Sequence, residues 1–436
     1  MMATEIFAQI REPEVALRGN KRFLARLARH SLVNRPTPTA FDPDATYLIT
    51  GGLGGLGLSV AEWMVSLGAK HLVLVSRNQP NALAADKLRR LEEASAQVMV
   101  AQADVSERAQ IADVLEQITS SGIPLRGVIH SAGILDDGIL SRLSWERFQR
   151  VLKPKVAGAW HLHALTQSIP LDFFVLFSSG ASLFGAPGQG NYVAANAFLD
   201  AFAHFRRSHG LPALSINWGP WAEVGAATKR NVVGRAIAHG IGLIPPKKGL
   251  EALGLLFTQS EAQVGVVPID WEQFSHAAAE RPFFSALVGT TSSASKRQNK
   301  FLAEFYSTSR KRQRALLSEH VRSHIMKVLG LDTSAQADVE QNLLSEGMDS
   351  LTSMELRNNL QASLGIPLPS TLVYDHPTTG SITDFLLSKL ASETAASDRS
   401  EVTRKPVTNA PDLDSLSEHE LSALLDEELQ GFGSLE

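Results

Sequence analysis

Thr50-Gly-Gly-Leu-Gly-Gly-Leu-Gly57 lies directly after the apolar run Tyr47–Thr50 and directly before the helical pattern Leu58–Leu67. Strand, glycine-rich turn and helix in that order form the setting of a dinucleotide-binding loop. Gly51, Gly55 and Gly57 let the backbone turn tightly and approach a pyrophosphate, whose charge then meets free amides at the helix N-terminus. A loose glycine-rich turn would explain the same residues taken alone, so the flanking chain has to decide. Outward from the loop, short β-branched apolar runs alternate with longer helical patterns from Thr46 to Asp270. The expected strands are Tyr47–Thr50, His71–Val75, Val98–Ala101, Gly127–His130, Phe173–Phe177, Ala213–Asn217 and Val264–Ile269. The connections between them are long enough for right-handed crossovers. Seven such strands predict an α/β fold with a Rossmann-like, doubly wound parallel sheet.

The strand ends refine the expected cofactor. An NAD-preferring fold usually closes its second strand with an acid for the ribose hydroxyls; here Ser76-Arg77 offers a hydroxyl and a cation suited to a ribose phosphate. NADPH is therefore expected, held by Thr50, Gly51, Gly52, Leu53, Gly54, Gly55, Leu56 and Gly57 together with Ser76 and Arg77. Asp104 and Val105 after the third strand either bracket the adenine or, for the Asp, cap the following helix. Ser131, Ala132 and Gly133 close the fourth strand and line the nicotinamide side.

Composition narrows the classes. The 436 residues carry 41 Lys plus Arg against 45 Asp plus Glu, a net charge of -4, so no global positive field gathers nucleic acid or acidic lipid. Zero Cys excludes disulfides, thiolate nucleophiles and Cys-ligated metal. The longest apolar runs, such as Leu171 to Phe177, fall far below the ~20 residues of a membrane helix. The N-terminus lacks a signal pattern, and a cytoplasmic protein is expected. His161 and His163, two apart in a helical stretch, point to different faces, so no metal site is expected. The basic cluster Lys296, Arg297, Lys300, Arg310, Lys311, Arg312 and Arg314 has no groove-reading helix beside it and reads as a solvated linker.

Tyr192 and Asn196 stand four apart in the helical segment Asn191 to Phe205 and share a face; Ser179 follows the fifth strand. Carbonyl reduction needs a proton donor, a second hydrogen bond to the carbonyl oxygen and a cation that eases ionisation of the donor. Tyr, Ser and Lys supply these. In this order the chain resembles the short-chain dehydrogenases/reductases, with Asn196 where their Tyr-x-x-x-Lys places lysine. From Phe41 to about Phe284 it resembles the ketoreductase domains of modular polyketide synthases, which carry Lys and Asn in exchanged places. Their lysine motif matches Lys153-Pro-Lys-Val-Ala-Gly158 and selects Lys155. The resemblance implies Tyr192 as proton donor, Ser179 as a hydrogen bond to the carbonyl, and Lys155 as the cation. It implies Asn196 as support for that lysine or for a relay water.

Leu135, Asp136 and Asp137 resemble the Leu-Asp-Asp fingerprint of the B type, and Leu176 stands where the opposite class carries a tryptophan. The resemblance implies a D-configured β-hydroxyl; the alternative is that the two acids cap the next helix. Asn217-Trp-Gly-Pro-Trp221 and the stretch to Gly242 resemble the family's substrate lid, which excludes water during hydride transfer.

Between Ala315 and Leu390 the pattern reads as several short helices with nine acidic and four basic residues. Gly347-Met-Asp-Ser-Leu351 leads into the amphipathic stretch Leu351 to Leu364. Alone, Ser350 reads as a plain N-cap. With Thr371-Leu-Val-Tyr-Asp-His-Pro-Thr378 it resembles an acyl carrier protein of the polyketide synthase type, a small all-α four-helix domain. Ser350 then bears phosphopantetheine, installed by a phosphopantetheinyl transferase, and the substrate is a carrier-tethered β-ketoacyl thioester.

The expected organisation has residues 1–40 as a remnant of the ketoreductase structural subdomain, 41–288 as the reductase and 289–314 as a linker. The carrier follows over 315–391, then a flexible tail over 392–436. The capping box at Ser417 opens an acidic, leucine-striped helix that either docks to neighbouring synthase domains or subunits or is a frayed end. Two rivals remain: a scaffold whose reductase fold does not turn over, and a free-standing oxidoreductase of a small ketone.

Overall fold

A computed structural model describes residues 12, 14–30, 40–223, 240–271, 274, 281–287, 301–329, 342–343, 348 and 350–400. The chain divides into two compact units, His30–Ala277 with Ser318–Ile382, and Met1–Arg29 with Ala278–Leu317 and Thr383–Glu436.

In the second of these units β1 (Val15–Arg18) and β2 (Lys21–Leu24) form an antiparallel hairpin that the sequence pattern did not signal. Gly19, at φ +57°, makes its turn. Glu12 and Arg26 pair at 2.6 Å, and Leu27 N donates to Phe283 O at 2.9 Å.

The larger unit is built on seven parallel strands: β3 (Thr46–Thr50), β4 (His71–Ser76), β5 (Gln97–Gln102), β6 (Leu125–His130), β7 (Phe173–Ser179), β8 (Leu214–Trp218) and β9 (Gln263–Val266). Their order, β5-β4-β3-β6-β7-β8-β9, reverses direction between β3 and β6, and such a switch point opens the crevice where doubly wound sheets bind ligands. The expected α/β fold is the one observed. Strand alternation splits the core. Tyr47 and Ile49 face one layer, with α1 (Gly55–Ser66), α2 (Ala82–Glu93) and α8 (Pro246–Leu256). Leu48 faces the other, with α3 (Arg108–Ser120), α5 (Gly158–Thr166) and α7 (Gly190–Ser208).

The first six strands fall within two residues of expectation. The seventh is shorter than Val264–Ile269, because Ile269 leaves the sheet to bridge Ile241. Between α4 (Trp145–Leu152) and α5 the helix widens into a π turn, Lys153–Ala157, and the short α6 (Ala181–Phe184) follows β7. Pro154 has no N–H for the ladder and its ring crowds the preceding turn, which accounts for the widening.

The carrier region comprises α9 (Arg310–Leu329), α10 (Ser350–Leu364), α11 (Leu372–Asp375) and α12 (Thr379–Ser400). Three of these, of 20, 15 and 22 residues, are long rather than short. Residues 301–307 are also helical and α9 begins at Arg310, so the linker expected over 289–314 is not continuous coil. Val321 and Ile325 of α9 and Leu356, Leu360 and Leu364 of α10 are buried; His320 Nε2 and Ser363 Oγ, 2.9 Å apart, tie the two helices. The helix expected after Ser417 and most of the lid, 224–239, lie outside the described residues.

Candidate active site

The glycine loop sits at the switch point. Gly51, at φ +67°, approaches the β6 extension so closely that a Cβ there would come to 3.0 Å from Ala132 N. A Cβ on Gly52 would lie 2.7 Å from Leu74 Cβ, and one on Gly57 would overlap the Gly51 carbonyl. No side chain caps α1, so its first amides remain open to an anion. Thr50 locks the neighbouring strand ends: its carbonyl accepts from Ser131 Oγ at 2.7 Å and its Oγ1 meets His130 Nδ1 at 2.7 Å. These features fit a dinucleotide phosphate. Ser76 ends β4 and exposed Arg77 follows it, at the same edge of the sheet.

Asp104 makes a tight turn by accepting from Ser106 N and Oγ at 2.9 and 2.7 Å. It does not cap α3, whose N-cap is Glu107. The Val105 side chain is buried against Gly158 and its carbonyl faces His161 Nδ1 at 3.3 Å.

Three elements converge beside the loop. Ser179 closes β7 and Tyr192 and Asn196 lie one turn apart on α7; Lys155 rises from the π turn, with Nζ 5.7 Å from the centre of the Tyr192 ring. Burial pushes the Tyr192 phenol above its ordinary range, and hydrogen bonds with Ser179 and Asn196 pull it back. Asn196 Nδ2 donates to Tyr192 O at 2.7 Å, securing the first turns of the helix. Lys155 is 4% exposed and donates to Phe177 O at 2.8 Å. Burial lowers its ammonium pKa to about 8, while Asp200 acts in the opposite direction. A Cβ on Gly133 would meet Lys155 Cε at 3.0 Å, so the glycine leaves the lysine its path.

The Leu135-Asp-Asp137 loop is pinned rather than used as a cap. Arg147 donates from Nε and Nη2 to Asp136 Oδ1 at 2.8 and 2.6 Å, and Arg150 pairs with Asp136 at 3.2 Å. The following helix α4 is capped by Ser144. Asn191, fully buried, donates from Nδ2 to Asp136 O at 2.8 Å and accepts from Tyr192 N at 2.8 Å, joining the loop to the helix that carries the tyrosine. Pattern reading missed Asn191, Arg147, His130 and Asp200, all of which act through partners distant in sequence. Burial drops His130 to a pKa of about 3, so it is neutral beneath the lysine.

His163 Nδ1 faces Arg206 at 2.9 Å and His161 Nδ1 faces Val105 O at 3.3 Å, so the two rings do look in different directions. No helix among the described residues is long and apolar enough to cross a membrane. Ser350 is the first residue of α10.

The fold is Rossmann-like, of the short-chain dehydrogenase type, and its switch point brings Tyr192, Ser179 and Lys155 together. Residues 45–223 match the KR domain model and residues 319–386 match that of the phosphopantetheine attachment site. The chain is thus a KR domain followed by a phosphopantetheine-attachment domain, and its homologues are modular polyketide synthases. It is 41% identical over 401 residues to the spectinabilin polyketide synthase system protein NorA' of Streptomyces orinoci, covering 87% of this chain and 11% of that one. Polyketide synthase GfsB of Streptomyces halstedii is 38% identical over 391 residues, 87% of this chain and 7% of that one. The chain therefore spans a small part of these relatives. Among solved structures, an A-type ketoreductase from a modular polyketide synthase superposes with a TM-score of 0.60 at 38% identity, over 65% of this chain and 60% of that one.

Proposed function

We propose that the chain reduces a β-ketoacyl thioester, tethered through phosphopantetheine at Ser350, to the β-hydroxyacyl thioester during polyketide synthesis. The observation that carries this reading is the meeting of Tyr192, Ser179 and Lys155 beside the glycine loop at the switch point. NADPH, held by the loop with Ser76 and Arg77, supplies the hydride when bound. Tyr192 donates its phenolic proton to the oxygen that becomes the alcohol, and Ser179 steadies that oxygen with a second hydrogen bond. The buried ammonium of Lys155 favours the tyrosinate left behind, and Asn196 holds the first turns of α7 so that phenol and ammonium stay in place.

Leu135, Asp136, Asp137 and Leu176 support a D-configured product. The A-type neighbour shares the fold, and the fold alone does not sort the classes, so this assignment rests on those side chains. The phosphopantetheine-attachment match supports a phosphopantetheinyl transferase that loads Ser350, and the polyketide synthase relatives support further synthase domains that deliver and accept the acyl chain.

The test is NADPH oxidation with a β-ketoacyl thioester, run beside Tyr192→Phe, with chiral analysis of the alcohol. Loss of turnover by about 10²-fold or more in the variant, and a D-alcohol from the parent, are expected. Cofactor binding without turnover in the parent would instead identify a carrier scaffold.

A further inference from the structure

We propose that Asp200 is a positioning residue of the reductase site, the buried counter-charge to Lys155 and the anchor of the turn that carries Ser179. The inference rests on the reading that Tyr192, Ser179 and Lys155 reduce a carbonyl. Tyr192, Asn196 and Asp200 stand at i, i+4 and i+8 of α7, one face of the helix. Asp200 is 7% exposed, and among the described residues no ion pair reaches it. Three neutral donors do: Ser215 Oγ to Oδ1 at 2.6 Å, Ser182 Oγ to Oδ2 at 2.7 Å and Asn217 Nδ2 to Oδ2 at 2.8 Å.

Those donors are themselves fastened to the catalytic turn. Asn217 Nδ2 lies 3.1 Å from Ser178 Oγ and 2.8 Å from Ser182 Oγ, and Ser182 Oγ lies 2.9 Å from the Ser179 carbonyl. Ser178 Oγ in turn donates to Asn196 O at 3.3 Å. The carboxylate thus binds strand end, turn and helix into one network.

A carboxylate kept from water is costly unless a cation stands near it. Lys155 is the cation that fits. It is buried, its Nζ donates to the carbonyl of Phe177, the neighbour of the Ser178 that Asn217 joins to Asp200, and Asp200 favours its ammonium. The other titratable groups around it are His130, neutral under β6, and Tyr192 on α7, whose phenol also feels Asp137. Neither supplies a negative charge at neutral pH. Asp200 touches no reacting atom, so its effect passes through Lys155 and Ser179.

The experiment is the pH profile of kcat/KM for Tyr192-dependent reduction, in the full chain, for the parent, Asp200→Asn and Ser215→Ala. Loss of the carboxylate removes support for the ammonium, so the alkaline limb in Asp200→Asn moves down by about one pH unit or more. Ser215→Ala keeps the charge and removes one donor; its thermal stability falls and its limb stays. Trace acetylation of Lys155 in the cofactor-free chain, read by mass spectrometry against pH, gives the same shift without turnover. An unmoved limb and unmoved labelling curve in Asp200→Asn overturn the inference. An inactive parent, or an active Tyr192→Phe, overturns the underlying reading instead. Should Asp200→Asn not fold, Asp200→Ser replaces it: formate that returns the limb upward supports the proposal, and formate without effect overturns it.

Discussion

Replacing Lys155 by Met should make the reductase domain more stable at pH 7 while removing its activity. Burial lowers the Lys155 pKa from 10.5 to about 8, and at roughly 1.4 kcal/mol per unit this places a cost of about 3 kcal/mol on keeping the ammonium in the fold. Methionine is close in length and carries no charge. It forfeits the bond to Phe177 O, about 1 kcal/mol, and the attraction to Asp200 is already counted in the lowered pKa, which leaves a net gain of about 2 kcal/mol. The pH dependence gives the signature. Between pH 8 and 10.5 the unfolded lysine binds a proton that the folded one has released, so the parent gains stability as pH rises through that window. The Met variant lacks that rise, and its advantage shrinks until above pH 10.5 only the lost hydrogen bond remains. Urea unfolding at pH 7 and at pH 10 measures both values. A variant less stable at pH 7, or one whose difference is the same at both pH values, would refute the reasoning.

Other consequences are as specific. Gly57→Ala pushes a methyl group into the Gly51 carbonyl, so cofactor affinity measured by fluorescence titration should fall at least tenfold, about 1.4 kcal/mol, while α10 and the carrier stay loadable. Arg147→Met removes the fork that pins Asp136; the alcohol should lose enantiomeric purity on a chiral column, with cofactor affinity within about twofold of the parent. If purity is unchanged, the Arg147 fork does not set the stereochemical loop.

The sheet was legible because strands buried on both faces read as continuous apolar runs, and β3, all of it buried, is the plainest of them. The hairpin β1–β2 was not, since its four-residue strands alternate only weakly and Lys21, Arg22 and Phe23 are exposed. The grouping of Tyr192, Ser179 and Lys155 was legible through spacing and resemblance. Asp200 was not, although the signal existed: an acid inside Phe198-Leu-Asp-Ala-Phe202 shares the register of Tyr192 and Asn196, on a face that is otherwise buried. Reading it required Ser215 and Asn217, which lie on strand β8 and not on its own helix. Asp136 was read as a possible cap because its partner Arg147 lies beyond the next turn, and nothing local distinguishes an ion pair from a cap.

The π turn that presents Lys155 has one more consequence. An α-helix advances about 100° per residue, so deleting a single residue between Leu152 and Gly158 would restore regular winding and swing the lysine about a quarter of a circle away from Tyr192. Such a deletion spares the glycine loop, the serine and the tyrosine. A sister sequence shortened there would keep its glycine loop, serine, tyrosine and a lysine and yet be mute as a reductase, so counting residues across this bend is a better census of activity than checking for the lysine itself.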